Sequence, residues 1–585
     1  MTDTPRLIEV AFPLKQTSID SVHEKNVRHG HISTLHIWPA RRPLAACRAA
    51  LIATLLPDPG NAEERKLLLE KLGGKLVEVV RKKKLPSGKI EEKVAEETEG
   101  GILHWGRESS PDLDWFREKI REAYGGRSPK VLAPFAGGGA IPLEAMRLGC
   151  EVTAIDINPV AWFILKCTLE YPQKLAGQKR PLPEFVLKDR DFMESYFKAQ
   201  GYKGKSLREQ LEKLGFDQDF DGQIPLIAAE AATLEADLAW HVRAWGWWVL
   251  QKAKADLERF YPVVDGKTTV AYLWARSLKC KNCRATVPLL KTRWLCKKDK
   301  KRVVLTMEPN AEKTGVVFGI QTDVPSVGGN SAQKREHDKR IGAGTMSKSG
   351  ATCPCCGSIM TMEDIRLNSK AGQLGAVMTA VVVEGKNSKE YRLPTAEEIQ
   401  LAADTEKELE RVFAEIPFGL PQEKTPGAAG PHKKSSSLQI YGLLQWTDIF
   451  TYRQLLALGI FVKSTRVACK AMEEESYKPE WIEAVGAYLG LATSRLTDRA
   501  STICHWSLGR ETIQNTFSRF ALPISWDFSE VNPTATSSGT YDGQIEWLAK
   551  VIEHCTLAQN HTEPALVRQM SSIAIQESEH WDLVL

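Results

Sequence analysis

The clearest change of pattern along the chain lies between Lys130 and Asn158. In PKVLAPFAGGGAIPLEAMRLGCEVTAIDIN a short apolar run, Val131 and Leu132, leads into the turn Gly137-Gly138-Gly139. Apolar positions then recur at helical spacing from Ile141 to Leu148, and Gly149 is placed to close that helix. A second apolar run, Glu151 to Ile157, predicts a strand that carries an acid near its end. Strand, glycine-rich turn, helix and strand make one half-unit of a doubly wound α/β sheet. Elsewhere the helical period dominates. Leu44 to Leu56 reads as a helix opened at Pro43 and closed by Pro57 and Pro59. Thr168 to Tyr261 is helical and Trp-rich, and Trp240, Trp247 and Trp248 are spaced as a buried stripe. The period returns from Ile440 to Leu522 and from Asp542 to Cys555, and the final WDLVL reads as a strand. The charged stretch RKKK at Arg81 to Lys84, followed by EEKVAEETEG, predicts a solvated helix–loop–helix. No internal repeat is visible.

Composition narrows the classes. The 585 residues suggest about three or four domains. With 43% hydrophobic and 26% charged residues, wholesale disorder is excluded. A formal charge of only +5 means that any nucleic-acid footprint must be local. No apolar run approaches the ~18 residues of a membrane span. The nearest, LAACRAALIATLL from Leu44, carries Arg48 in its middle, and MTDTPRLIEV lacks the apolar segment of a signal peptide. A cytoplasmic chain without a membrane partner is expected, with its 12 cysteines as thiols, metal ligands or catalytic groups.

A glycine-rich turn between strand and helix lets backbone N–H groups approach a ligand at the positive end of a helix. An acid at the tip of the next strand can accept hydrogen bonds from two ribose hydroxyls. The turn here is Phe135 to Gly139 and the acid is Asp156, 17 residues on. The alternatives are a site for a nucleoside-containing cofactor and a purely structural turn. The motif is F-A-G-G-G rather than G-x-G-x-x-G, which argues against a nicotinamide-dependent oxidoreductase. His29, His31 and His36 suggest either a metal site or a looped segment packed on the cofactor domain; no cysteine or carboxylate cluster accompanies them.

Cysteine spacing supplies a second signal. Cys280-Lys-Asn-Cys283 and Cys353-Pro-Cys-Cys356-Gly form two C-x-x-C knuckles that can offer four thiolates to one zinc ion. The alternative is two unrelated thiol pairs, and Cys296 or Cys355 could substitute as ligands. The 69 residues between Cys283 and Cys353 require a loop projecting from the ribbon. Lys279 to Arg302 hold ten Lys or Arg and one acid, Asp299, which is either a phosphate-contacting ribbon or a solvated loop.

The segment PFAGGGAIPLEAMRLGCEVTAIDINPVA resembles motifs I and II of S-adenosylmethionine-dependent DNA methyltransferases of the amino-methylating type. RHGHISTLHIWPARRPLAACRA, CPCCG, LLQWTDIFTYRQLLAL, SRLTDRASTICHW and NTFSRFALPISWDFSEVNP extend the resemblance over nearly the whole chain. They resemble a domain-of-unknown-function group of methylase-like proteins, often encoded beside helicases and ATPases in anti-phage loci. The resemblance implies a Rossmann-like class I methyltransferase sheet interrupted by a zinc ribbon and helical insertions. It also implies S-adenosylmethionine as cofactor, DNA as partner and the adenine amino group as target. Phe135, Gly137 and Gly139 would line the methionine and ribose side, with Pro134 and Ala136 in the same stretch. Asp156 would hold the ribose hydroxyls, and Ile157, Asn158 and Pro159 would border the adenine. Trp38 to Pro43 resembles the segment that closes the methionine end. The family pattern has Asp before Pro-Phe, commonly a methionine-binding acid, where this chain has Ala133.

The implied layout is an N-terminal segment at 1–60 that packs on the cofactor domain. A cofactor half follows at 101–170, a helical insertion at 171–270 and a zinc-ribbon insertion at 271–365. Next come a linker and small α/β segment at 366–437, a helical region at 438–540 and the start of a catalytic half at 541–585. Amino-methylating enzymes localise the target nitrogen with a D/N-P-P-aromatic loop. Neither Asn158-Pro159 nor Asn532-Pro533 belongs to such a sequence. The resemblance places that loop directly after Asp582-Leu583-Val584-Leu585. Three readings follow: a fragment, one half of a split enzyme whose second chain carries the catalytic loop, or a degenerate methylase that binds without catalysing. In each, the chain alone is expected to be inactive.

Overall fold

The computed structural model describes residues 4–84, 90–216, 234–427, 436–517, 521–537, 539–558, 563–575 and 580–585. The fold is mixed α/β with several small sheets. The chain divides into two compact units, one made of Met1–Ala244, Lys478–Tyr488 and Glu546–Leu585, the other of Trp245–Tyr477 and Leu489–Ile545.

The first unit holds a four-stranded parallel sheet. Its order is Leu566–Gln569, Glu151–Asp156, Lys130–Ala133, Leu583–Val584. Lys130–Ala133 and Glu151–Asp156 are buried nearly throughout, as parallel strands covered on both faces must be. The helix between them, Ala140–Arg147, agrees with its sequence pattern to within a residue. Gly149 follows its C-terminus at φ +82° with open space around the position of a Cβ. Gly149→Ala therefore adds no clash but forces a side chain into the left-handed region. A loss of about 1 kcal/mol is expected, read as a lower midpoint in urea denaturation.

The N-terminal segment packs around the same helix. Helices Leu14–Glu24 and Leu44–Leu55 flank a loop with one short turn of helix at Ile32–Thr34. Glu24 fixes that loop at both ends. Its carboxylate accepts the Leu44 and Ala45 backbone N–H groups at 2.7 and 3.0 Å and lies 2.5 Å from His31 Nε2. Arg48, fully buried, donates to Glu144 at 2.6 Å and to the Ile102 carbonyl at 2.5 Å. Glu144 also accepts from Arg147 at 2.5 Å. A buried charge held this way is costly to strand, so helix Leu44–Leu55 is tied to the helix that follows the glycine turn.

The charged stretch after Gly74 is not a helix–loop–helix. Lys75–Lys84 and Ile90–Glu99 form an antiparallel hairpin in continuous register, with Val80 opposite Val94. Val77, Val79, Val80 and Val94 favour extended backbone. The basic first strand and acidic second strand bridge across the ladder, with Arg81 donating to Glu97 at 2.8 Å and Lys82 3.0 Å from Glu92. Opposite charge read as solvation is here cross-strand pairing.

In the second unit, Thr269–Lys279 is the central strand of an antiparallel sheet. It pairs with Gly375–Val383, Asp527–Val531 and Thr286–Leu289, while Glu390–Arg392 pairs with Gly375–Val383. Val316–Gln321, Lys301–Pro309 and Trp294–Lys298 make a second, three-stranded sheet. Helices Tyr452–Glu474 and Pro479–Thr497 fill most of the span expected to be helical. Beyond them the chain turns into the two-residue strands Trp506–Ser507 and Thr512–Ile513, with Glu511 at φ +53° in the turn between. The Trp stripe is also displaced. On helix Leu238–Leu257, Trp240 is buried, but Trp247 and Trp248 are half-buried and the enclosed indole is Trp245. The buried row runs Trp245, Val249, Ala253, Leu257 at four-residue steps. The linker from Glu423 to Ser437 falls partly outside the described residues.

Candidate functional site

The parallel sheet places the glycine-rich turn at the carboxyl end of Lys130–Ala133. Successive connections leave this strand to one side, through Glu151–Asp156 to Leu566–Gln569, while Leu583–Val584 lies on its other side. The turn is tied to the second strand by the Ala136 N–H on the Ile155 carbonyl at 3.0 Å. Gly137 and Gly139 take φ of +55° and +84°, which glycine adopts without a Cβ penalty. Asp156 closes the turn from below: Oδ2 accepts the Gly137 N–H and Oδ1 the Asn158 N–H, both at 2.9 Å. Each oxygen keeps a lone pair for a further donor.

Above the turn lies a cavity of about 390 Å³, lined by Phe135, Ala136, Gly137, Gly138, Asp156 and residues of the N-terminal loop. Trp38 is its roof. A Cβ on Gly137 would stand 2.9 Å from Trp38 Nε1, and one on Gly138 would stand 3.2 Å from its Cδ1. Only glycine lets the indole come so close. His31, His36, Arg41 and Arg42 also line the cavity. His31 is engaged by Glu24 and Ser33, and His36 Nδ1 lies 2.9 Å from the Ile37 carbonyl. These histidines form part of the loop rather than a metal cluster among the described residues. Phe135 is 79% exposed and Ile157 68%, two apolar side chains left open at the strand tips. Asn158 caps helix Pro159–Leu165 through Val160 N–H, and Pro159 is its first residue. Pro134 is half-buried, and Ala133 is enclosed at 1% exposure outside the cavity lining.

In the second unit the four cysteines converge. Each knuckle is the turn of a hairpin, Thr269–Lys279 with Thr286–Leu289 for the first and Gly350–Thr352 with Ile359–Thr361 for the second. The turns repeat one another in detail. Arg284 N–H bonds the Cys280 carbonyl at 3.0 Å and Gly357 N–H the Cys353 carbonyl at 2.9 Å. Arg284 and Gly357 both take positive φ, +62° and +71°. All four sulfurs lie within 4.8 Å of one another, with Cys280 to Cys356 at 3.7 Å and Cys283 to Cys353 at 3.6 Å. Four thiolates about 2.3 Å from one tetrahedral ion are about 3.8 Å apart, so the sulfurs stand where they could bind such an ion. The Ser358 N–H and the Asn282 amide pull the Cys356 thiol down to about 6, while burial pushes Cys353 up to about 12. Cys355 and Cys296 are not alternates: Cys355 faces the Gly315 carbonyl at 3.3 Å and Cys296 the Lys301 carbonyl at 3.3 Å.

The basic ribbon carries less free charge than its sequence suggests. Lys281 pairs with Asp364, Lys297 and Arg302 with Asp338, and Lys298 and Lys301 with Glu511. Acids from distant segments neutralise half of the ten cations. No local window holds those partners. Glu24 was equally hidden, because its partners His31 and Leu44 lie 7 and 20 residues away with no helical or strand spacing to announce them.

Among the described residues no helix is long and apolar enough to cross a membrane. No curated protein and no solved structure matches the chain. A family model described as a protein of unknown function, DUF1156, matches residues 11–72, the segment that carries Glu24, Trp38 and Arg48.

Proposed function

We propose that the chain is a DNA methyltransferase-type protein of a phage-defence or modification system. It holds S-adenosylmethionine over Gly137–Gly139 and serves transfer to a base amino group, foremost that of adenine. The observation that carries this reading is the strand order, which sets the glycine turn where connections diverge; open α/β sheets bind ligands at that point. The sheet is read as one half of a Rossmann-like class I methyltransferase sheet.

The residues present fit a nucleoside cofactor. Asp156 has acceptor capacity left for two ribose hydroxyls, and Phe135 and Ile157 offer apolar faces to a flat ring. S-adenosylmethionine, when bound, supplies an electrophilic methyl group. Trp38 covers the glycine backbone and keeps water from it, and Glu24 and Arg48 hold the loop that carries the indole. Cys280, Cys283, Cys353 and Cys356 are proposed to hold zinc. Proposed partners are DNA, a second chain with the catalytic loop, and a helicase or ATPase of the same locus, in the cytoplasm.

A second reading is a zinc-ribbon nucleic-acid-binding protein whose cofactor half has decayed. Ala133 and the absence of any D/N-P-P-aromatic sequence favour it. Calorimetric titration with S-adenosylmethionine separates the two. The first reading expects saturable binding at micromolar concentrations, with no methyl transfer to DNA by the purified chain of 585 residues. Salt-sensitive DNA binding with no heat from S-adenosylmethionine would favour the second.

A further inference from the structure

The second unit contains a larger cavity, of about 610 Å³, that neither the cofactor nor the metal uses. It opens over the face of the sheet where Thr269–Lys279 pairs with Asp527–Val531. On that face Arg276, Phe528 and Trp274 form a run of flat groups. The Arg276 guanidinium sits 5.5 Å from the Phe528 ring centre, and Phe528 and Trp274 are parallel to within 3° at 6.0 Å. Trp274 is locked in place by its N–H on the buried Glu530 carboxylate at 3.0 Å. Its ring, half-buried, lines the cavity. Trp506 forms another part of the wall, held by its N–H on the Tyr391 hydroxyl at 3.1 Å, with the Lys389 ammonium 5.2 Å from the ring centre.

Polar groups enter this aromatic space at few points. Asp527 is half-buried in the wall, and burial pushes its carboxyl up to about 6. Lys291 and His505 are exposed at the rim. Ile503 and Ile524 join the cavity wall to the core cluster that contains Cys280 and Cys353, so the metal knuckles brace it. Rigid aromatic walls, one acceptor within and one cation at the mouth match a planar ring that carries N–H donors and is attached to a phosphate.

We infer that this cavity is a nucleobase pocket, which takes one base of a nucleic-acid strand against Trp274 and Trp506 with Asp527 accepting from its N–H groups. The inference rests on nucleic acid being the partner and adds to that reading a base-holding site remote in sequence from the cofactor turn. Base stacking on an aromatic side chain contributes about 1–3 kcal/mol, or roughly 5- to 150-fold in affinity.

The test uses the full chain and two probes, a single-stranded oligonucleotide with one 2-aminopurine and the free 2-aminopurine riboside. Emission of both is expected to be quenched on binding. Trp506→Leu and the isosteric Asp527→Asn are each expected to weaken binding at least fivefold, with zinc content and melting temperature unchanged. Asp156→Ala is expected to leave the quenching in place. If the oligonucleotide binds and both variants quench like the parent, the pocket is overturned while DNA as partner stands. If only the riboside binds and both variants weaken it, the pocket stands and the DNA reading fails. If neither probe binds, the pocket is overturned.

Discussion

One zinc ion per chain is expected by atomic emission from protein purified without added metal, and none from Cys353→Ser. Structural zinc sites release about 10–16 kcal/mol on assembly in isolated fingers, as much as the whole stability of an ordinary domain. The site here joins two hairpins whose cysteines are separated by 69 residues of chain. Behind the buried thiols lie Leu278, Val287, Ala351 and Met360 in one core cluster. Loss of one ligand leaves the two hairpins without their link and exposes that cluster. Cys353→Ser is therefore expected to lower the melting temperature of the second unit and open its knuckles to protease. Cys355→Ser is the control. Its sulfur points to the Gly315 carbonyl, so metal content and melting temperature are expected to remain those of the parent. A metal-free parent as stable as the zinc-loaded protein would refute the site.

Asp156→Ala is expected to weaken S-adenosylmethionine binding by about 10²- to 10⁴-fold. Hydrogen bonds to a charged group contribute about 1.5–3 kcal/mol each, and two ribose hydroxyls would be lost together. The carboxylate also bridges the Gly137 and Asn158 N–H groups, so the turn itself loses a brace. Asp156→Asn separates the two effects. It keeps the shape and one acceptor oxygen, and a smaller loss of affinity is expected with the melting temperature near that of the parent. Unchanged affinity in both variants, measured by calorimetry, would remove Asp156 from the cofactor site.

Much of the candidate chemistry was legible because it is written within a few residues. The glycine turn and its flanking helix need positive φ at Gly137, Gly139 and Gly149, and only the sequence pattern G-G-G and a helix-closing Gly meet that need cheaply. The two C-x-x-C turns are equally local, since a knuckle closes its own hydrogen bonds from the Cys280 and Cys353 carbonyls to residues four positions on. The charged hairpin was misread for the opposite reason. Its stability comes from pairing Arg81 with Glu97 and Lys82 with Glu92 across a ladder, which a helical reading of the same charges does not contain.

The sequence by itself determined the half-unit that presents the glycine turn, the acid at Asp156 and the four thiols as two pairs. Only the tertiary structure decided that the pairs meet within 4.8 Å. It also laid Trp38 on the glycine backbone, cancelled half of the ribbon's charge against distant acids, and gathered Trp274, Trp506 and Asp527 around one cavity. The physical reason is range. Turn and knuckle geometry is fixed by φ and hydrogen bonds between near neighbours, whereas convergence of side chains hundreds of residues apart depends on strand order and burial, which no single stretch of chain encodes.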